Sequence, residues 1–260
     1  MLNSTNPINL YRNNALIHVK HISQQRTHLN NVRRILENYD FIQYLNETDQ
    51  KFLLQNLKIH RYFHQQVIYQ QNYLSTDINI ILSGAIKLGW NTSQGNYHTV
   101  MFMPSGTLIN IVPVLSGQPL IYEHIAQNET VIANIPGAIF SEILQRNAKA
   151  QFSILKLVCN RTQNKRANEI FDTTQSLLTR LAKELLFLAN YHTDDSIIKL
   201  SQASFAELLG TTRQKINKEF SYLVEIKVIE VNYNRTEILD YDTLKQLASA
   251  TDQVPTTDFF

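Results

Sequence analysis

The sequence SQASFAELLGTTRQKINK, residues 201–218, specifies the fold of the C-terminal part of this chain. Ser201 can cap a short helix, and Gly210 stands where a helix that ends in the left-handed conformation prefers glycine. Thr211 and Thr212 then offer an N-cap for a second helix. A helix, a tight glycine turn and a second helix predict a helix-turn-helix.

The second helix of this unit is predicted to have an apolar side and a polar side. The apolar side carries Ile216, Phe220 and Leu223 at helical spacing. On the polar side, arginine can bind guanine, glutamine and asparagine can bridge adenine edges, and lysine can meet phosphates. Residues 211–218 include three basic residues and no acidic one. The predicted DNA contacts on this helix are Thr212, Arg213, Gln214, Lys215, Asn217 and Lys218.

A hairpin is predicted directly after this helix. Val228–Val231 and Glu237–Leu239 flank Asn232–Thr236, which places Arg235 near the tip. Such a hairpin is typical of a wing that lies beside the DNA backbone, so Arg235 is a further predicted contact. Polar helix faces are more often only solvated, and residues 173–250 carry a net charge of −1. A ligand-binding sensor whose winged domain contacts proteins rather than DNA therefore stays open as the alternative.

The N-terminal half has a different sequence pattern from that of the C-terminal half. Short β-branched or aromatic runs alternate with turn-forming stretches such as Ser83-Gly84, and this spacing predicts an antiparallel sandwich or roll. The predicted strands are Val67–Tyr69, Ile78–Leu82, Ile86–Leu88, Thr99–Met103, Leu108–Ile111 and Thr130–Ile135.

Residues 148–171 contain no glycine or proline and predict one long helix. One stripe of this helix has the spacing of a coiled-coil seam: Phe152, Leu155, Cys159 and Thr162. The stripe fits a helix that pairs with a second copy, and it also fits a helix that packs on its own domain. Both interpretations stay open.

Composition excludes several classes of protein. One cysteine in 260 residues rules out a disulfide framework, a thiolate zinc site and an iron–sulfur cluster held by this chain's cysteines alone. Long apolar runs and a secretory signal are absent, so we expect a cytoplasmic protein with no membrane segment. The eight histidines lack compact ligand spacing, which predicts no metal site. Catalytic signatures are also absent, so we expect no enzyme activity.

The whole pattern resembles the Crp/Fnr family, the cyclic-AMP receptor-like bacterial transcription regulators. Residues 200–218 are similar to its helix-turn-helix signature, Ile229–Leu239 to its wing, and Arg180-Leu-Ala182 to the start of the helix behind. The resemblance implies an α+β fold that combines an N-terminal cyclic-nucleotide-binding-like β-roll, a long dimerisation helix and a C-terminal winged helix-turn-helix. The chain then divides into a polar basic arm (1–28), a β-roll sensor domain (29–145), the long helix (146–172), the winged domain (173–250) and a tail (251–260).

The resemblance also implies partners. A homodimer through the long helix would place two recognition helices on a pseudo-palindromic site in double-stranded promoter DNA, and RNA polymerase is a further expected partner. Gln214, Asn217 and Lys218 stand where the family commonly has Glu, Ser and Arg. An amide favours adenine where a carboxylate accepts from cytosine, so we expect a half-site different from the usual one.

The effector of this chain is unknown from its sequence, and no cofactor is predicted. A nucleotide pocket of the family needs a Gly-Glu pair and an Arg-Ser or Arg-Thr pair, where this chain has Asn110-Ile111 and Ile121-Tyr122. Residues 88–145 contain no Arg or Lys, so a buried cyclic phosphate would lack a cation and we expect no response to cyclic AMP. The candidate effector-binding residues are Asn110, Tyr122 and His124 on the roll and Lys165 and Arg166 on the long helix, where a solvated charge run is the alternative.

Overall fold

The computed structural model describes residues 27–91, 97–172, 175–189 and 197–249, with the backbone alone for residues 163–172. Nearly all of the predicted arm and the whole predicted tail lie outside these ranges. A helix over residues 27–37 (α1), a 3-10 helix Asp40–Tyr44 and α2 (Glu47–Gln55) lead into the sheet. Asn46 caps α2, because its side chain accepts a hydrogen bond from the Asp49 amide at 2.8 Å.

Six antiparallel strands form the roll. They are β1 (Lys58–Tyr62), β2 (Val67–Tyr69), β3 (Asp77–Asn91), β4 (Tyr97–Pro104), β5 (Leu108–Ile109) and β6 (Glu123–Pro136). The strand order is β1-β6-β3-β4, with β2 also paired to β6 and β5 also paired to β3. The long strands β3 and β6 pair along most of their length and form the middle of the roll.

Three predictions of strand boundaries are wrong. The predicted strand Thr130–Ile135 is only the second half of β6. Ile78–Leu82 and Ile86–Leu88 are one strand, β3, because Ser83-Gly84 forms a bulge instead of a turn. Gly84 has a φ of 76°, and a Cβ there would lie 2.5 Å from the Glu129 carbonyl oxygen, so the bulge needs glycine. The predicted strand Leu108–Ile111 ends at Ile109, and α3 (Ile111–Ser116) follows.

The helices after the sheet close the roll on one side. They are α4 (Gly137–Gln145) and α5 (Ala148–Asp172). Ala150 and Ile154 of α5 are buried in the core beneath the sheet together with Phe41 and Phe140, whose rings pack edge to face at 5.5 Å. Burial of such side chains contributes about 1.5–3 kcal/mol each, which anchors the first half of α5 on the roll.

The C-terminal part is a second, separately cored unit. Its elements are α6 (Leu177–Ala189), β7 (Ile197–Ile198), α7 (Gln202–Leu208), α8 (Arg213–Glu225), β8 (Ile229–Asn232), β9 (Arg235–Ile238) and α9 (Tyr241–Ser249). The strands form a small sheet in the order β7-β9-β8. The apolar side of α6, with Leu181, Leu185 and Leu188, is buried in the core of this unit, where α6 packs mainly against α9 and also against α8. The α+β fold with an N-terminal roll, a long helix and a C-terminal winged helix-turn-helix is confirmed.

Candidate nucleic-acid interface and effector site

Local hydrogen bonds define the turn between α7 and α8. Ser201 caps α7 by accepting from the Ser204 amide at 3.0 Å, and Thr212 caps α8 by accepting from the Lys215 amide at 3.3 Å. Gly210 between the helices has a φ of 60°, the left-handed conformation in which glycine carries no penalty. The guanidinium of Arg180 on α6 also donates to the Leu209 carbonyl oxygen at 2.8 Å. The turn is therefore held both by its own caps and by the helix behind it.

The packing of the inner side of α8 determines which residues lie on its outer side. Ile216, Phe220 and Leu223 are at most 1% exposed, and the ring of Phe220 lies 5.3 Å from that of Phe205 on α7. Side chains three and four residues apart share a helix face, so this packing turns the remaining face toward solvent. Rotation of α8 about its axis is therefore fixed, because only this rotation buries Ile216, Phe220 and Leu223 in the core.

The outer face of α8 is unpartnered. Its exposed side chains are Arg213, Gln214, Lys215, Asn217 and Lys218. In the part of the chain that the structure describes, none of these five makes a side-chain hydrogen bond or an ion pair. The structure thus brings five of the seven predicted DNA contacts onto one surface, with Thr212 at its edge as the cap. This surface offers hydrogen-bond donors and a positive charge to a partner.

The wing is tighter than its sequence suggested. Strands β8 and β9 leave Tyr233 and Asn234 as the turn, with Tyr233 94% exposed and Asn234 at a φ of 50°. Arg235, the seventh predicted contact, begins β9 and its Nη2 lies 3.4 Å from Glu237 Oε2. About half of the Arg235 side chain is exposed, so it is accessible beside the turn but shares its charge with a carboxylate.

A hydrogen-bonded polar cluster occupies the roll near the predicted effector positions. Asn110 donates to Asn79 Oδ1 at 2.7 Å, and Asn79 in turn donates to the Tyr69 hydroxyl at 3.1 Å. The His124 ring contacts Asn110 Oδ1 through Nε2 and the Tyr122 carbonyl oxygen through Nδ1, both at 3.0 Å. We call these four side chains, Tyr69, Asn79, Asn110 and His124, the polar cluster of the roll.

Burial sets the protonation state of the polar cluster. Asn79 is fully buried and His124 is 3% exposed. Burial lowers the pKa of His124 to about 4, against a smaller opposite effect of the hydrogen bond with Tyr122. Burial also raises the pKa of Tyr69 to about 12. The cluster is therefore neutral at pH 7.

Two of the predicted effector residues meet in this cluster and a third contributes differently. Tyr122 takes part through its backbone carbonyl, while its ring stacks on Trp90 at 5.9 Å. The side chains of Lys165 and Arg166 lie outside the described residues. Sequence reasoning missed Asn79 and Tyr69. The signal for Asn79 was its position as the one polar residue in the run Ile78–Leu82.

One cation that the sequence reasoning overlooked does reach the roll. Arg161 of α5 donates from Nη1 to the Leu108 carbonyl oxygen at 2.6 Å, two residues before Asn110. Its Nε and Nη2 are buried and have no hydrogen-bond partner among the described residues. Residues 88–145 contain no basic side chain, whereas Arg161 belongs to the long helix and reaches the roll only in the folded structure.

Helix α5 presents opposite faces to the roll and to solvent. Ile154 is 3% exposed, whereas Phe152 and Leu155 are 57% and 55% exposed. Cys159 and Thr162 are exposed on the same stripe. One side of the helix therefore packs on its own roll and the predicted seam is exposed on the other, so pairing with a second copy stays a prediction.

Comparisons with known proteins bear on both units. The sequence model of a Crp-like helix-turn-helix domain matches residues 179–247, and that of a cyclic nucleotide-binding domain matches residues 59–147. A search of curated protein sequences finds no match. In the described part of the chain, no helix is long and apolar enough to cross a membrane, and no cluster of three or more His, Cys, Asp or Glu side chains could hold a metal ion.

Solved structures share the fold. FixK2 from Bradyrhizobium japonicum superposes with a TM-score of 0.65 at 14% identity, covering 75% of this chain and 98% of that one. A candidate cAMP-binding regulatory protein from Silicibacter pomeroyi gives 0.60 at 22%, covering 83% and 97%. TTHB099, a CRP-family transcriptional regulator from Thermus thermophilus, gives 0.55 at 19%, covering 74% and 97%. At these identities the likeness concerns the fold.

Proposed function

The chain belongs to the Crp/Fnr family, and from that premise we propose that it is a homodimeric transcription regulator that binds promoter DNA sequence-specifically through α8. The observation that carries the proposal is the outer face of α8. Polar side chains that have no partner among the described residues remain available to base edges and phosphates. By the same family resemblance, RNA polymerase is a further proposed partner. The family is one of regulators and not of enzymes.

Mobility-shift measurements with genomic fragments across a salt series test DNA binding. Neutralised phosphates release counterions, so the logarithm of the affinity should fall linearly with that of the salt concentration, by about 0.9 for each phosphate contact. Absent or salt-insensitive binding would contradict the proposal. It would instead favour a sensor whose winged domain contacts proteins, the alternative that the negative charge of residues 173–250 supports.

Base preference follows from the side chains on α8. Arg213 suits guanine, while the amides of Gln214 and Asn217 suit adenine. We propose an operator whose half-site combines such bases and differs from one read by a carboxylate at the Gln214 position. Selection of binding sites from a random duplex library identifies the half-site directly. A selected half-site with a cytosine contact at Gln214 would contradict the assignment.

Dimerisation is proposed to use the exposed stripe of α5. Phe152 and Leu155 are large apolar side chains at seam spacing on a face that the roll leaves uncovered. We expect sedimentation to show a dimer for the full chain and a shift toward monomer for Leu155→Glu. Phe63→Glu is the matched control, since Phe63 is 67% exposed in the connection between β1 and β2 and does not belong to α5. A dimer unaffected by Leu155→Glu would place the interface elsewhere.

We propose that the roll does not respond to cyclic AMP. The polar cluster fills the region of the predicted effector residues with neutral groups that already bond to one another, and residues 88–145 supply no basic side chain. Arg161 is the counter-argument, because its guanidinium is beside Leu108. Calorimetric titration with cyclic AMP should give no heat of binding. Micromolar binding that Arg161→Ala abolishes would overturn the proposal and identify the cation responsible.

A further inference from the structure

The roll and the helix-turn-helix meet directly at α7. Phe102 of β4 is fully buried, and it packs into the core of the C-terminal unit rather than that of the roll. Gln127 of β6 donates to Ser204 Oγ on α7 at 3.3 Å, and Asn128 donates to the Lys199 carbonyl oxygen at 3.3 Å. The first helix of the helix-turn-helix is thus seated on the β3–β4–β6 face of the roll.

An ion pair lies at the centre of this contact. Lys87 Nζ on β3 is 3.2 Å from Glu207 Oε1 on α7, and Thr99 on β4 donates its hydroxyl to the same oxygen. Lys87 is 7% exposed, and its ammonium also lies 4.6 Å from the centre of the Tyr97 ring. A lysine removed from water to this extent needs a charged partner, and here the partner comes from the other unit of the protein.

The contact fixes the direction of α8. Ser204 and Glu207 are three residues apart, so they share one face of α7, and that face is the one held by the roll. Gly210 and the Thr212 cap then set α8 relative to α7. The side chains on the outer face of α8 are exposed and take no part in this contact. Moving α7 on the roll would therefore reorient the DNA-binding face without changing any residue on it.

We propose that Glu207 is a positioning residue: its ion pair with Lys87 seats the helix-turn-helix on the roll and so sets the separation and direction of the two recognition helices in the dimer. The inference rests on the proposed function. Lys87 is buried whereas 38% of the Glu207 side chain is exposed, so separating the two would leave the Lys87 charge buried without its partner. That cost favours the docked arrangement over others. The expected effect is on recognition of a two-half-site operator, not on contacts within one half-site.

Charge reversal separates positioning from direct DNA contact. The probes are the full duplex selected by the wild-type protein from a random library and the same duplex with one half-site scrambled. Glu207→Lys and Lys87→Glu each put like charges together, so each should lower the ratio of full-site to half-site affinity by about tenfold, as loss of a matched geometry reduces avidity. The two reversals change the net charge in opposite directions, so a general electrostatic effect on DNA cannot lower the ratio in both.

The double variant Lys87→Glu/Glu207→Lys restores opposite charges and should return the ratio to within about twofold of the wild type. The matched controls are Glu47→Lys and Lys51→Glu, which reverse an exposed pair of 3.6 Å on α2 and should leave the ratio unchanged. Thermal unfolding checks that each variant is folded. If the single reversals do not fold, the neutral variant Lys87→Met/Glu207→Gln is used, and a wild-type ratio there refutes the inference.

The outcomes distinguish the inference from the function on which it rests. A wild-type protein that binds no DNA refutes the proposed function. A wild-type protein that binds the full site, together with reversals that leave the ratio intact or a double variant that fails to recover it, refutes the positioning role of Glu207 alone.

Discussion

The polar cluster of the roll and the outer face of α8 use similar side chains in opposite ways. In the roll, Asn79, Asn110 and His124 are hydrogen-bonded and largely shielded from water. On α8, Gln214 and Asn217 carry the same kind of amide, exposed and bonded to nothing in the described part of the chain. Buried polar groups must find partners within the protein, whereas exposed ones are free to find them outside. The first region therefore stabilises the fold, and the second is available for recognition.

The largest expected effect concerns the pH dependence of stability in the roll. His124 has a folded-state pKa of about 4 and an ordinary value of 6.5, so the unfolded chain takes up a proton first as the pH falls. Stability should be complete above pH 6.5 and decline below it, by on the order of 3 kcal/mol at pH 4 from this group. We expect His124→Gln to remove that part of the decline in urea unfolding at pH 7.5, 5.5 and 4. If the pH dependence of stability were the same in His124→Gln as in the wild type, His124 would not be shielded from water in the folded protein.

The next effect is on DNA affinity. Arg213→Ala should weaken binding to the selected operator by about 1–3 kcal/mol and relax the preference at one base pair. The free energy of unfolding should change by less than about 0.5 kcal/mol, because the side chain is exposed and unpartnered. The comparison fails if the same variant loses stability rather than affinity.

A smaller effect separates capping from contact. Thr212→Ala should lower the free energy of unfolding by about 1 kcal/mol, because it removes the acceptor for the Lys215 amide. Thr211→Ala is the matched control, as Thr211 is adjacent and caps no helix in the structure. Equal losses in chemical denaturation would mean that the cap is not formed in solution.

The smallest effect is expected from Lys215. Lys215→Ala should weaken all duplexes alike and reduce the salt dependence of binding by about 0.9 in the logarithmic slope, the value for one phosphate contact. Lys51→Ala, in an exposed pair on α2, should leave the slope unchanged. If Lys215→Ala and Arg213→Ala had identical effects, the assigned register of α8 on DNA would be wrong.

The helix-turn-helix was predictable because its determinants are local. The Ser201 and Thr212 caps each bond to an amide three residues on, and the apolar side of α8 repeats within the helix itself. The strands were harder. Whether Ser83-Gly84 turns the chain or forms a bulge depends on how β3 pairs with β6, some 45 residues away in sequence.

The effector region shows the same limit. Asn110 was found from its alignment with a family pattern, yet its bonds to His124 and to Asn79 became visible only when β3, β6 and the connection between β5 and α3 were assembled. Arg161 was missed because a helix far along the chain delivers it to Leu108. Contacts between residues that are far apart in the sequence cannot be recognised from a local sequence pattern.

Four features could be read from the sequence alone: the helix-turn-helix, the polar outer face of α8, the division into a β-rich and a helical half, and the exclusion of cysteine-based chemistry. These follow from residue type and short-range spacing, which act through backbone conformation and amphipathicity. Tertiary packing was needed to show that the side chains of the polar cluster bond to one another and that Lys87 meets Glu207, 120 residues further along the chain. Those contacts depend on which surfaces are buried together. A polar side chain that is buried must form a hydrogen bond or an ion pair within the protein, because burying it unpaired costs free energy.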